Sequence, residues 1–179
     1  MSESTTVLPQ NLANLPPVLL AAIKNCYHPS GYQIKNYQKE PESQEYYAAT
    51  FELNELKIKH RQAKITPAKT GQFVTIWKRS EKGITEPFDA SDDFDLLIIS
   101  VCNGELQGQF IFPKEILITQ KIVTQHKNTG KRGIRVYPPW DTVSSKQALK
   151  TQLWQTQYFL LLSNQSSLTI SLAKKLLSP

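Results

Sequence analysis

Residues 94–101, FDLLIISV, constrain this chain more than any other segment, because only Asp95 and Ser100 interrupt their apolar run. The run is far shorter than the roughly 18 apolar residues that a membrane-spanning helix needs. A short, almost continuous apolar run followed by an Asn-Gly turn is typical of a strand that is covered on both faces. The sequence therefore predicts a central β-strand here.

Shorter segments, in which apolar and polar residues alternate, predict the remaining strands. They are residues 49–53, 57–65, 72–79, 108–112 and 133–137. Asn54 marks the turn of a hairpin between the first two of these strands, and the polar stretch 29–43 predicts a loop. In the hairpin's second strand, a period of two places Lys57, Lys59 and Arg61 on one face, opposite His60, Gln62 and Lys64.

Capping residues predict three helices. These helices follow Asn14 as far as about Tyr27, follow Ser43 over residues 45–49, and run from Ser144 or Ser145 to near Leu162. The predicted inner faces are Leu15, Leu19, Ala22, Ile23 and Cys26 on the first helix, and Leu149, Leu153, Trp154, Tyr158 and Leu161 on the longest. Together these elements predict an α/β (α+β) fold, a single mixed sheet flanked by helices.

A chain of 179 residues with 40% hydrophobic and 20% charged residues suits one compact domain. We expect a tail over residues 1–13, a domain over 14–162 and a C-terminal extension over 163–179, whose stretch 168–177 is compatible with a helix or a strand. The first ten residues carry Glu3 and no Lys or Arg, unlike a signal peptide, so we expect a cytoplasmic protein.

The charges are segregated into blocks. From Lys57 to Lys82 there are eight basic residues against one acid, Glu81. From Lys114 to Lys150 there are again eight basic residues, against two acids. The acidic loop 86–95 separates the two blocks. The overall net charge is +6, so each block alone holds about as much surplus positive charge as the whole chain.

Clustered Lys and Arg residues neutralise phosphates and release counterions, which predicts a nucleic-acid partner, either DNA or RNA. The candidate contacts are Lys57, Lys59, Arg61, Lys69, Lys78, Arg79, Arg132 and Arg135. Trp77, Tyr137 and Trp140 lie among them and would stack on bases if they were exposed, or would belong to the core if they were not. A row of cations is also compatible with an ordinary solvated face.

Several other functions are not supported. The two cysteines, Cys26 and Cys102, lack a CxxC partner and are expected to be buried thiols, and the three histidines lack ligands at metal spacing. The sequence contains no GxSxG elbow, P-loop or GxGxxG motif. The acidic loop 89–95 lacks the Gly and the terminal Glu of an EF-hand.

Four strings in the sequence resemble the bacterial MepB family, whose members are functionally uncharacterised. They are AKITPAKTGQFVTIWKR (63–79), GQFIFPKEIL (108–117), GKRGIRVYPPWD (130–141) and SKQALKTQLWQTQYF (145–159). The resemblance covers roughly residues 18–162. It implies a restriction-endonuclease-like fold, which nucleases and inactive relatives share, and it implies no particular activity.

Nucleases of that fold hold a divalent metal with carboxylates from a helix and a hairpin, next to an acid-x-Lys motif. The corresponding candidates are Glu45, Glu52 and the triplet Gln62-Ala63-Lys64, with Mg²⁺ bound by Glu45 and Glu52 if the site is active. An amide at position 62 is a poorer metal ligand than a carboxylate. Two other readings stay open: Glu55-Leu56-Lys57 could supply the motif, or these residues are solvated and ion-paired.

Two functions therefore remain as hypotheses. The first is a nucleic-acid-binding domain with a degenerate or active metal-dependent nuclease site. The second is a non-enzymatic regulatory or accessory module that binds a protein partner through the same basic face. The oligomeric state does not follow from the sequence.

Overall fold

The structure is a computed structural model that describes residues 14–162 and 166–178. Its strands are β1 (Ile34–Lys39), β2 (Ala49–Leu53), β3 (Leu56–Gln62), β4 (Lys64–Thr66), β5 (Lys69–Thr75), β6 (Trp77–Arg79), β7 (Thr85–Pro87), β8 (Leu96–Asn103), β9 (Leu106–Pro113), β10 (Gly133–Val136) and β11 (Phe159–Leu161). The α-helices are α1 (Pro17–Ala22), α2 (Lys114–Thr119), α3 (Lys146–Gln155) and α4 (Ser167–Leu176). The predicted tail, residues 1–13, lies outside the described residues, and none of the described helices is long and apolar enough to span a membrane.

A six-stranded mixed sheet forms the centre of the fold, with strand order β1-β2-β3-β8-β9-β11. Strands β3 and β8 are parallel, and every other neighbouring pair is antiparallel. Two smaller sheets accompany it, one with the order β10-β5-β4 and one formed by β6 and β7. The predicted mixed sheet flanked by helices is confirmed, and the small sheets are an addition to it.

Strand β8 is buried along its first six residues, as its apolar sequence predicts. Leu96 and Ile98 face one hydrophobic cluster, which also contains α1 and α4. Leu97 and Ile99 face a second cluster, built with the small sheet, α2 and the aromatic residues of β9. Because β8 alternates between two separate clusters, a single strand supplies the apolar centre of both layers.

The first helix forms where the sequence predicts it, although its start differs. Asn14 provides no cap, because the helix begins after Pro16, whose side chain makes no capping hydrogen bond, and it continues as a π-helical turn over Ile23–Tyr27. The predicted inner residues Leu19 and Cys26 are fully buried. Ser43 likewise caps no α-helix, because only a 3-10 turn, Gln44–Tyr46, follows it.

Strand β1 lies within the stretch predicted to be a loop. It is an edge strand in which only Ile34 is buried, so its sequence carries almost no apolar alternation. The strand predicted over residues 57–65 is also divided. Strand β3 ends at Gln62 beside β8, and β4 begins at Lys64 in the small sheet, where it pairs with β5.

The helix predicted to be the longest ends earlier than predicted, and only part of its predicted inner face packs against the core. It covers Lys146–Gln155 and is followed by a 3-10 turn and by β11. Leu149 and Leu153, predicted for its inner face, are exposed. Trp154, also predicted for the inner face, packs against Phe112 with 5.2 Å between the ring centroids. Gln155, which is 1% exposed, adds hydrogen bonds to the backbone of Arg135 in β10 and of Tyr137 just after it.

The C-terminal stretch, for which helix and strand were both open, forms helix α4. Ser166 caps it by accepting a hydrogen bond from the amide of Thr169. Ala173 and Leu176 are buried in the cluster that contains α1. The C-terminal extension therefore contributes to the core of the described domain.

Candidate nucleic-acid interface

Most cations of the first basic block are neutralised by carboxylates. Their partners lie outside the block in sequence. The pairs are Lys57 with Asp93, Lys59 with Glu40 (3.1 Å), Arg61 with Glu40, Lys78 with Asp92 and Glu86, and Arg79 with Glu42 (2.6 Å). The hydrogen bond and charge of Asp93 raise the pKa of Lys57. Five of the eight cations predicted to bind phosphate thus already have an anionic partner within the protein.

Arg61 is a buried member of this group. Its side chain is 2% exposed and lies 5.4 Å from the ring centroid of Phe88, while its guanidinium forms an ion pair with Glu40 and donates to the carbonyl of His60. Burial lowers its pKa, and the charge of Glu40 opposes this effect. Arg61 therefore holds the end of β3 against the fold and cannot reach a phosphate at the surface.

A hydrogen-bonded polar network crosses the sheet beside Arg61. The buried ring of His60 contacts the carbonyl of Tyr47 through Nδ1 (3.2 Å) and the Oγ of Ser100 through Nε2 (2.8 Å). Gln109 donates to the same Oγ (3.0 Å), and the hydroxyl of Tyr27 donates to Gln109. Burial lowers the pKa of His60 to about 4, so the imidazole is neutral at physiological pH. The network satisfies buried polar groups and presents no reactive group to solvent.

The four predicted nuclease-type residues do not converge. Glu45 and Lys64 approach within 3.8 Å at the surface, where the Glu45 side chain is 67% exposed. Glu52 pairs in register with Lys57, at the far end of the hairpin from Gln62. Lys57, the register partner of Glu52, is five positions from Gln62 along β3, roughly 16 Å. Strand alternation therefore places Glu52 and Gln62 on opposite faces of the sheet. The division of the strand at Ala63 carries Lys64 into the small sheet.

Glu52 and Glu55, the carboxylates at the turn end of the hairpin, do not form a metal-binding site either. Glu52 accepts a hydrogen bond from Asn36 (2.9 Å), and Glu55 of the alternative motif is 96% exposed and contacts Lys35 at 3.7 Å. Among the described residues, no group of three or more His, Cys, Asp or Glu side chains is arranged to hold a metal ion. A cavity of about 280 Å³ on this face contains both lysines and carboxylates, including Lys59 and Glu52, so its charge is balanced.

A second cavity differs in its charge. It is a groove of about 330 Å³ between β10 and α3. Its polar lining consists of Gln120, Lys131, Arg135, Tyr137, Ser145, Gln147, Thr151 and Gln155, and none of the described residues that line it is Asp or Glu. Within the part of the chain that the structure describes, neither Lys131 nor Arg135 forms an ion pair. We call this cavity the β10–α3 groove.

Hydrogen bonds from α3 fix the shape of the β10–α3 groove. Gln155 accepts from the amide of Tyr137 (2.9 Å) and donates to the carbonyl of Arg135 (3.0 Å), which satisfies the free edge of β10. Gln152 donates to the carbonyls of Pro138 and Asp141, both at 3.0 Å. Helix α3 is thereby joined both to the end of β10 and to the loop that follows it.

The start of α3 adds to the positive potential of the groove. Ser145 caps the helix by accepting from the amide of Ala148 (3.1 Å), and it also lines the groove. Helix N-termini carry a partial positive charge. Lys121, Lys146 and Lys150 are exposed and are direct chain neighbours of lining residues. Two cations of the second basic block, Lys131 and Arg135, thus line one concave surface, and three more are chain neighbours of its lining residues.

The remaining predicted contacts lie in varied positions. Lys69 is exposed at the turn between β4 and β5. Arg132 is exposed and donates to the carbonyl of Thr85. Of the three predicted stacking residues, Tyr137 lines the groove, Trp77 lies under Arg79, and Trp140 packs edge-on against Phe159. Gln120, which follows α2, and the lining residues of α3 were not predicted as contacts, and the excess of cations in the second block was the signal that pointed to this region.

The fold and the groove define a mixed α/β protein with a concave surface beside its small accessory sheet, lined by two cations and, among the described residues, by no carboxylate. A family model described as MepB-like matches residues 40–161, and the chain belongs to this family. A crystal structure of MepB is 40% identical to the chain, with a TM-score of 0.70, and the match covers 72% of this chain and 86% of that one. All residues that line the β10–α3 groove lie within the matched range.

A bacterial homing endonuclease of solved structure also matches. It is 16% identical, the match covers 76% of this chain and 83% of that chain, and the TM-score is 0.42. A likeness of this size carries no conclusion about the present chain. None of the curated proteins matches the chain described here.

Proposed function

We propose that this protein binds nucleic acid through the β10–α3 groove. The observation that carries the proposal is the contrast between the two basic blocks. The first block is largely neutralised by its own ion pairs, whereas Lys131 and Arg135 line a cavity to which no Asp or Glu of residues 14–162 and 166–178 contributes. Unpaired cations around a concave surface suit a chain of phosphates, because each contact releases condensed counterions.

The functional residues are therefore redistributed relative to the sequence prediction. Arg135 keeps its predicted role, and Lys131 joins it at the mouth of the groove. Lys57, Lys78 and Arg79 are assigned to intramolecular pairs. The proposal needs no catalytic step.

Salt-dependent binding tests the proposal. Fluorescence anisotropy with labelled single-stranded and double-stranded oligonucleotides, at about 50 to 200 mM salt, should give a linear fall of log K with log salt. Replacing Lys131 and Arg135 together by Ala should reduce the steepness of this slope by about 1.4 on single strands or about 1.8 on duplex DNA. The matched control removes the same charge from the neutralised block, as Lys78→Ala with Arg79→Ala, and should leave the slope within error.

Two results would contradict the proposal. The first is absence of binding at low salt, which would favour a protein partner for the basic face, to be sought by co-purification after nuclease treatment. The second is an equal loss of slope in both double variants. The same oligonucleotides, incubated with Mg²⁺, Mn²⁺ or EDTA, test the nuclease prediction, and metal-dependent cleavage abolished by Lys64→Ala would establish an active site at that residue.

A further inference from the structure

Two aromatic rings lie against glycines on the outer face of the three-stranded sheet. A Cβ atom added to Gly71 would come within 2.7 Å of the Tyr137 ring, and one added to Gly133 would come within 2.6 Å of the Phe73 ring. Both rings remain partly exposed. The glycines therefore leave space that the rings occupy, and no other residue fits without displacing them.

Cations alternate with these rings. Arg135 pairs in register with Phe73, which pairs with Lys64 across the sheet. Tyr137 follows Arg135 by two residues, so strand alternation points both side chains to the same face. Arg135 is held in place because its Nη2 donates to Thr66 (2.7 Å).

The geometry of the groove favours an unpaired strand. In a duplex the bases stack on one another, and proteins read it by inserting protruding elements into its grooves. The β10–α3 groove is concave, and its volume of about 330 Å³ is at the lower end of the range for small-ligand pockets. A single strand can place a phosphate on a cation and turn an unstacked base onto an aromatic ring.

We propose that the β10–α3 groove selects single-stranded nucleic acid, in which a base stacks on Tyr137 while Lys131 and Arg135 hold the adjacent phosphates. This inference rests on the proposed function and specifies its substrate class. Stacking is tolerant of sequence, so the groove discriminates strandedness more strongly than base identity.

Substitution of Tyr137 tests the stacking contact. Tyr137→Leu should weaken binding of a labelled single-stranded 12-mer by about tenfold or more. Binding of a duplex of the same sequence should change less than twofold, and the salt slope should stay unchanged because no charge is removed. Tyr137→Phe retains the ring and should bind like the native protein. Thermal unfolding of both variants separates a lost contact from a lost fold.

Competition on the native protein requires no variant. Unlabelled single strands should displace the labelled 12-mer at concentrations at least tenfold lower than the duplex. If the native protein binds duplex as tightly as single strands, or if Tyr137→Leu weakens both equally, the inference is overturned and the proposed function stands. If neither form binds at low salt, the proposed function itself fails.

Discussion

Removal of the carboxylate of Glu40 should destabilise the fold far more than removal of its near neighbour Glu42. Glu40 is the anionic partner of Arg61, whose guanidinium is 2% exposed, and it also contacts Lys59. The Nε of Arg61 has no hydrogen-bond partner, so this side chain depends on the groups around its other nitrogens. Breaking a buried ion pair leaves an uncompensated charge, which costs about 3 to 5 kcal/mol. Since the Glu40 side chain is 21% exposed, we expect Glu40→Gln to fall near the lower end of that range.

Glu42→Gln is the matched control, because it makes the same chemical change two residues away. Glu42 pairs with Arg79, and their side chains are 36% and 46% exposed. A pair that accessible contributes about 0 to 1 kcal/mol. Urea unfolding, followed by the linear dependence of the unfolding free energy on denaturant, measures both differences.

A double variant sharpens this comparison. Glu40→Gln combined with Arg61→Met removes both charges and should recover part of the stability lost in Glu40→Gln alone, because no buried charge then remains unpaired. Equal effects of Glu40→Gln and Glu42→Gln, within about 0.5 kcal/mol, would refute the assignment of Arg61 as a buried charge that depends on Glu40.

Two further predictions concern the polar groups of the core and of the groove. Burial lowers the pKa of His60 from 6.5 to about 4, so the unfolded chain binds a proton more readily than the folded protein. The contribution of neutral His60 to the free energy of unfolding should be fully present above pH 6.5. Between pH 6.5 and 4 it should fall by up to roughly 1.4 kcal/mol per pH unit. A melting temperature that stays constant from pH 6.5 to 4.5 would contradict this. Gln155→Leu leaves the amide of Tyr137 and the carbonyl of Arg135 without their partner, which should cost about 1 to 3 kcal/mol in urea unfolding. The control is Gln157→Leu at an exposed position, which should have little effect on the free energy of unfolding. Similar losses in these two variants would show that Gln155 does not anchor α3.

The sequence predicts those strands and helices whose burial is reflected in the apolar or polar character of their own residues. Strand β8 is apolar over its first six residues except for Ser100, because both of its faces are buried there, so composition alone identifies it. Strand β1 carries one buried residue at Ile34, because a sheet edge needs little apolar surface, and its pattern resembles a loop. Local sequence therefore records burial well and edge pairing poorly.

Two predictions were wrong for reasons that lie outside the local sequence. Leu149 and Leu153, predicted for the inner face of α3, are exposed. The helix docks through Trp154, which was predicted, and through the amide of Gln155, which was not. Strand alternation placed Gln62 and Lys64 on one face, but the chain changes sheets at Ala63, and periodicity cannot reveal which strand a residue will pair with.

The candidate site was predicted in part. Counting charges located both basic blocks and included Arg135 among the contacts. It could not show that Glu40, Asp92 and Asp93 fold back onto the first block, because such pairing depends on the tertiary structure. The block with the stronger local charge is consequently the one with fewer unpaired cations.

If the protein binds nucleic acid as proposed, internal pairing of the first block also affects how fast that nucleic acid associates. With Lys57, Lys59 and Arg61 matched by carboxylates, Lys131 and Arg135 at the β10–α3 groove are cations with no ion pair among the described residues, and we expect an electric dipole directed toward this side. A polyanion at a distance exerts a torque on such a dipole and turns the groove toward itself before contact. Electrostatic steering of this kind raises association rates by roughly 10- to 1000-fold at low ionic strength. On the proposed function, the carboxylates that pair with the first block, which are at least partly exposed, would influence this encounter without contacting the nucleic acid.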